Sequence, residues 1–382
     1  MRKGIPPDGH VRKYTVGRKE EINRLLDNLK NNETNVLLLQ ANYGAGKTHL
    51  LRFVKEHALD MGFAVSYVSL DSKSNIRFNR LDQILGAVNS NIEIPNSQGR
   101  RGIRNFFNFV ANEMEKPKYS DFRRTLSDNG KWGYSDLFDS SALFIALRAW
   151  KIGTAETKDI IEDWLCQPWN YKALKKQLYK KLIFDLNAQF RDPRKEWQFY
   201  ADDIFVFDKQ GHEQAWSTLR DLQMLAKGVG LKGIILLFDE FEDILNNMTN
   251  VAHQEAAFWN LFQFSLGKKY PGLSFYAVTP EFVSKCYRLL QRKGRDGVCI
   301  STFDALPTFQ MAPLDFEELE ELSLRIMQTH GEAYCWEPDM IMKASELKKL
   351  VRQAASIQIQ DRSRQAIIKV VRVLDELLDK NK

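Results

Sequence analysis

Residues 35–48, Asn-Val-Leu-Leu-Leu-Gln-Ala-Asn-Tyr-Gly-Ala-Gly-Lys-Thr, constrain the chain more than any other stretch. An apolar run of strand type enters a glycine-rich turn, and Leu50, Leu51, Phe53 and Val54 leave it at helical spacing. Strand, turn, Gly-Lys-Thr and helix together make the phosphate-binding P-loop arrangement. Backbone N–H groups of such a turn and of the helix start converge on one spot and favour an anion there. Gly44 and Gly46 let the backbone wrap phosphate oxygens, because neither carries a Cβ. Lys47 is expected to reach the β- and γ-phosphates, and the Thr48 hydroxyl to hold Mg²⁺. Tyr43, Ala45 and His49 complete the expected nucleotide-binding set. Ala41 stands where the pattern usually has its first glycine, which an alanine tolerates if its φ stays negative. The alternative, a β–α turn that binds nothing, leaves Lys-Thr at the helix start unexplained.

With 382 residues, 44% of them hydrophobic and 27% charged, the chain exceeds one average globular domain and can bury a large core. A net charge of +6 permits a nucleic-acid partner without demanding one. Cys166, Cys286, Cys299 and Cys335 are scattered, so neither a disulfide framework nor a zinc site is indicated, and a reducing cytoplasm fits. No apolar stretch follows the charges at the N-terminus, and no run approaches membrane-spanning length. The expectation is a cytoplasmic protein without membrane attachment.

Residues 1–15 read as an irregular arm with a turn at Pro6-Pro7-Asp8-Gly9. Gly17-Arg18 precedes an acidic amphipathic helix carrying Ile22, Leu25, Leu26 and Leu29. Phe63–Asp71 alternates and is β-rich, which predicts a second strand. Residues 72–232 hold no comparable strand and read as a mostly helical insertion. Arg100, Arg101 and Arg104 form one basic cluster there. Lys172, Lys175, Lys176, Lys180 and Lys181 form another along one helix face, either solvated or phosphate-tracking. Trp132, Trp150, Trp164, Trp169 and Trp197 are expected mostly in the core.

The run Gly233–Phe238 has the continuous apolar character of a central parallel strand, and it ends in Asp239-Glu240. Ligands of open α/β sheets sit at strand carboxyl ends. Asp239 is thus a candidate for Mg²⁺, and Glu240 for orienting an attacking water. Leu273–Val278 is another strand, ending in Thr279, and a fifth is expected near residues 307–311. From Ala312 the pattern is helical. Asp315 with Glu318 gives a capping-box signature. The last helix is expected to begin near Ser363 as N-cap, which puts Arg364 in a first turn where the helix dipole disfavours a cation. Broken local rules mark candidate functional positions, and a solvated surface arginine is the alternative.

Gly17-Arg18 before a P-loop, the Walker B-like Asp239-Glu240 pair and the polar strand end at Thr279 resemble AAA+ and STAND ATPases. Taken with Gly4–Pro7, Tyr14–Arg18, Tyr43–Leu51, Phe238–Glu242, Val278–Phe282, Leu314–Trp336 and Ser363-Arg364, they resemble the ATP-binding proteins of BREX phage-defence systems. The resemblance implies an α/β P-loop NTPase fold with a parallel sheet. Its divisions would be an arm at 1–15, an ATPase domain at 16–311 containing the insertion, and a helical lid at 312–382. It implies ATP and Mg²⁺ as ligands, with Thr48 and Asp239 toward the metal and Gly17 and Arg18 toward the nucleotide. Glu240, Lys47, a sensor-like Thr279 and a lid arginine, Arg364 or else Arg362, would act in catalysis. Partners would be other defence-system proteins, with double-stranded DNA and a homo- or hetero-oligomer also open.

One departure stands out. Related proteins carry an arginine at the end of the segment after the Thr279 strand, able to act in trans. Residues 301–311 contain none, and Arg288, Arg292 and Arg295 lie earlier. Two readings follow from different classes, an ATP-hydrolysing switch or motor and an ATP-binding scaffold that hydrolyses little. A third, a small-molecule kinase, fits the acidic pair and the separate helical lid poorly.

Overall fold

The computed structural model describes residues 9–31, 35–127, 138–167, 212–248, 250–291, 294, 300–356 and 362–380. It is a mixed α/β protein with a six-stranded sheet of order β3-β2-β4-β5-β1-β6. The strands are β1 (Val36–Gln40), β2 (Ala64–Ser69), β3 (Ile92–Glu93), β4 (Ile234–Asp239), β5 (Ser274–Val278) and β6 (Thr308–Gln310). The chain divides into two compact units, one of Met1–Glu33, Leu37–His57 and Phe275–Lys382, the other of Thr34–Val36 and Ala58–Ser274.

In the second unit β4 is buried at every residue, as its unbroken apolar run requires. It pairs in parallel with β2 from Ala64↔Ile234 to Ser69↔Asp239. β2 also pairs antiparallel with β3 through Val65↔Glu93 and Ser66↔Ile92. β3 is a two-residue strand inside residues 72–232, which the sequence reads as mostly helical with no strand comparable to β2. Two residues are too few to show alternation, so only the pairing reveals it. Otherwise the described part of the insertion is helical: Leu81–Asn91, Ile103–Met114, Ser120–Ser127, Ser141–Ile152, Ala155–Cys166 and His212–Gly228. Phe78 sits edge-on to Phe238 and Phe241, at 5.4 and 4.8 Å between ring centres, and Asn260 donates to its carbonyl at 2.8 Å. Such edge-to-face aromatic pairs add about 0.5–1.5 kcal/mol beyond area burial. Trp150 and Trp164 are buried. Trp132, Trp169, Trp197 and the Lys172–Lys181 face lie outside the described residues.

In the first unit β1 pairs in parallel with β6, Leu38↔Thr308 to Gln40↔Gln310. Ala41 N–H donates to Val278 O at 3.1 Å, joining the ends of β1 and β5. Three helices follow, Phe316–Tyr334, Ala344–Ala355 and Arg362–Lys380. The first opens with the expected capping box, Asp315 accepting from Glu318 N–H and Glu318 from Asp315 N–H. Leu319, Leu322, Ile326, Leu347, Val351, Val370 and Leu374 form their common core. Tyr14 and Val16 belong to the same core, so the described end of the arm is not irregular. Val11–Tyr14 is a 3₁₀ turn, pinned by Val11 N–H to Glu56 Oε1 at 2.8 Å. One correction concerns the last helix. It begins at Arg362, so Ser363 is a buried first-turn residue and not the N-cap. Among the described residues no helix is long and apolar enough to cross a membrane.

Candidate functional site

The P-loop turn is built by glycine at the two positions that need it. Gly44 has φ +73° and Gly46 φ +99°, values an L side chain rarely adopts. Ala41 is not among the described residues with positive φ, so alanine costs nothing at the strand exit. The helix Lys47–Asp60 starts directly on the Gly-Lys-Thr run and aims its N-terminal N–H groups into the turn. Lys47 is buried, and its Nζ donates to Ala41 O at 2.9 Å and lies 4.9 Å from the centre of the Tyr43 ring. Tyr43 itself is 61% exposed at the tip of the loop. Thr48 occupies the second helical position.

Gly17 and Arg18 both take left-handed backbone, φ +59° and +53°. The consecutive turn swings the arginine back over the P-loop. Its Nη2 donates to Ala45 O at 2.8 Å and to Ala312 O at 2.9 Å. Nη1 lies 3.4 Å from where a Gly46 Cβ would stand. Burial lowers the Arg18 pKa, and Glu318 and Glu21 oppose that shift. Glu318 is also why residue 17 is glycine, since a Cβ there would stand 1.7 Å from its Oε1.

His49 faces the same region. Thr15 Oγ1 donates to Val11 O at 3.0 Å, so toward His49 Nε2, 2.9 Å away, it is left to accept. That contact assigns the proton to Nε2. Burial first, then Arg18 and Arg52, push the imidazole down to about 4, so the ring is neutral at ordinary pH. A largely apolar cavity opens beside the loop. It is lined by Gly44, Ala45 and Gly46 on one side and by Val16, Leu314 and Ile367 among others, with Arg18, His49 and Arg364 at its polar edge. Arg364 is exposed and first-turn, as its sequence position suggests. Arg362, the other candidate, stacks its guanidinium 4.7 Å from the Phe316 ring centre.

Thr279 follows β5 and is 3% exposed, and its Oγ1 has no hydrogen-bond partner among the described residues. A buried hydroxyl without a partner costs about 1–3 kcal/mol and is a natural place for a ligand oxygen or water.

In the other unit, Asp239 closes β4 and is 4% exposed. Its Oδ2 accepts from Tyr67 OH and its Oδ1 from Glu240 N–H at 3.0 Å. Tyr67 is a partner that strand periodicity alone could not single out. Glu240 takes φ +56°, a left-handed conformation that a non-glycine residue adopts at a cost and that clusters at functional sites. Burial, then Asp239, Asp71, Asp243 and Glu242, raise its pKa above the ordinary carboxylate value.

The donor set fits a nucleoside triphosphate: a glycine cradle, a helix start, a buried lysine and an unmatched hydroxyl. No group of three or more His, Cys, Asp or Glu gathers as a metal cluster among the described residues. Mg²⁺ does not need one, because it is held by one or two side chains with phosphates and waters. Of the basic highlights, Arg101 pairs with Glu93, and Arg104 with Asp159 and Glu162. Arg288 is exposed, while Arg292 and Arg295 lie outside the described residues.

Comparison with curated proteins and with solved structures gave no match. The family model described as BREX system ATP-binding protein BrxC/D matches residues 1–119 and 203–382, well over half of the chain. The chain therefore belongs to the family of BREX system ATP-binding proteins.

Proposed function

We propose that the chain is a Mg²⁺-dependent ATPase of AAA+/STAND-like build that serves as a switch or motor subunit of a phage-defence complex. Membership of an ATP-binding family supplies the nucleotide. The observation that carries hydrolysis is Glu240, held in a left-handed conformation directly after Asp239 with its carboxyl raised by burial and neighbouring acids. A strained, raised carboxylate at a strand carboxyl end suits a group that orients and polarises water. Thr279, the polar end of β5 with a buried hydroxyl unpartnered among the described residues, takes the sensor-like role that the resemblance assigns to it.

In this reading the P-loop N–H groups and Lys47 bind the β- and γ-phosphates, and Thr48 and Asp239 approach Mg²⁺. Tyr67 fixes one oxygen of Asp239. Arg18 and His49 border the remainder of the nucleotide, and Arg364 reports its phosphates to the lid helices. Bound Mg²⁺ would neutralise charge developing on the transferred phosphoryl group.

Two substitutions test it. Lys47→Ala should abolish the ATP-induced rise in melting temperature. Glu240→Gln should keep that rise and lower phosphate release on the order of 10²-fold or more. Wild-type turnover by Glu240→Gln would remove Glu240 from the reaction. The scaffold reading keeps one observation in its favour, the lack of arginine over residues 301–311. It predicts negligible turnover by the wild type even with its partners present.

A further inference from the structure

The first unit carries a second concave surface, of a chemistry unlike that of the P-loop. It forms around the turn that follows the helix Phe316–Tyr334 and encloses about 710 Å³. That is within the range of about 300–1,000 Å³ typical of ligand clefts. Its walls are Leu324, Met327, Trp336 and Pro338, and Glu332, Glu337 and Asp339 line it with them. Apolar side chains next to the lining residues in sequence remain in solvent: Tyr334 is 45% exposed, Met340 79% and Ile341 42%. Residues 326–342 contain no lysine or arginine, in a chain whose net charge is +6.

The groove is held open by its own framework. Trp336 Nε1–H donates to His330 Nδ1 at 3.0 Å, and His330 Nε2 meets Asp375 Oδ1 at 3.2 Å. With Nδ1 an acceptor, the proton lies on Nε2 and points at the carboxylate. The turn is tight because Gly331 has no Cβ, which would stand 2.8 Å from Trp336 O, and because Cys335 takes φ +54°. A wall fixed in this way does not collapse onto itself, and a ligand meets it preorganised.

We propose that this groove docks a Lys/Arg-bearing amphipathic segment of a partner protein. Apolar anchors would fill the Leu324–Met327–Trp336 wall and contact Met340 and Ile341, and the basic flank would face Glu332, Glu337 and Asp339. The charge decides the class of partner. Three carboxylates on a stretch without lysine or arginine repel nucleic-acid phosphates and anionic lipid headgroups, and attract a cationic peptide face.

The test uses the full-length protein and two labelled peptides of about 18 residues, long enough to form a helix. They share a leucine face and differ in a lysine or glutamate polar face. Anisotropy should show binding of the Leu/Lys peptide that weakens with salt, and none of the Leu/Glu peptide. The double variant Glu337→Lys/Asp339→Lys should weaken the first by about tenfold or more and create affinity for the second. Met340→Asp/Ile341→Asp should abolish Leu/Lys binding, with an unchanged melting temperature because both side chains are exposed. Glu317→Lys, an exposed acid outside the groove lining, should change nothing. Leu/Lys binding indifferent to the groove variants, equal binding of both peptides, or no peptide binding would overturn the proposal. So would self-association that disappears in Met340→Asp/Ile341→Asp without peptide binding, since the occupant would then be a second copy.

Discussion

His49 takes its tautomer from Thr15 and its pH dependence from burial beside Arg18 and Arg52. Its folded-state value of about 4 lies below the ordinary 6.5. Between those two values the unfolded chain binds a proton that the folded chain does not. Stability from this residue is therefore fully present above pH 6.5 and is lost as pH falls toward 4. The full window corresponds to about 3 kcal/mol. His49→Gln keeps a donor for Thr15 Oγ1 and does not titrate. Its melting temperature, followed from pH 7 down to pH 4, should fall less steeply than that of the wild type. Parallel curves would mean that the imidazole is not held neutral. Gly17 makes a second residue-scale prediction. Alanine there combines a left-handed backbone with a collision against Glu318, whose carboxylate cannot swing away without giving up the capping box. Gly17→Ala should cost on the order of 2–3 kcal/mol from backbone strain and lost capping. Adding Glu318→Ala relieves the collision, so the double variant should be less destabilised than the two single effects summed. Strict additivity would break the proposed contact.

At the scale of elements, the P-loop and its helix, the apolar β4 and the capping box were legible, because each writes a local rule into consecutive residues. β3 was not, since its two residues pair with β2 by proximity alone. The last helix starts two residues earlier than Ser363 as N-cap predicts, because serine is a common N-cap and here it is buried inside the first turn. The order of residues 9–15 is not legible, because it depends on Tyr14 joining a core made by residues some 300 positions later. Tyr67 as the partner of Asp239, and the packing of Glu318 against Gly17, are not legible for the same reason, as each contact joins residues distant in sequence. The lid helix gives the prediction proper to this scale. Arg364 edges the cavity beside Gly44–Gly46 yet is exposed, so it contributes little to the apo fold. Arg364→Ala should leave the apo melting temperature almost unchanged and shrink the rise produced by ATP–Mg²⁺. An unchanged rise would return Arg364 to the role of a solvated side chain.

For the molecule as a whole, the expected behaviour is slow turnover in isolation and acceleration by a partner. Charge developing on the γ-phosphoryl group needs a cation, and an arginine supplied in trans is worth about 10³–10⁵ in rate. Residues 301–311 supply none, and two of the three arginines in the cluster near residue 100 are already committed, Arg101 to Glu93 and Arg104 to Asp159 and Glu162. Exposed pairs of this kind contribute little to stability but do compete for a phosphate. If duplex DNA is the activator, the contribution should therefore come mainly from Lys175, Lys176, Lys180 and Lys181. An ATPase titration with duplex DNA at low and moderate salt separates the possibilities. Phosphate contacts predict stimulation that fades steeply with salt, is indifferent to DNA sequence and is lost when those four lysines are neutralised. Stimulation by a co-purified defence protein, with no response to DNA, would place the missing cation on that protein. Fast turnover by the chain alone, unaffected by substitution of Arg288, Arg292 or Arg295, would show that the site needs no outside cation, and the switch reading would then lose its basis.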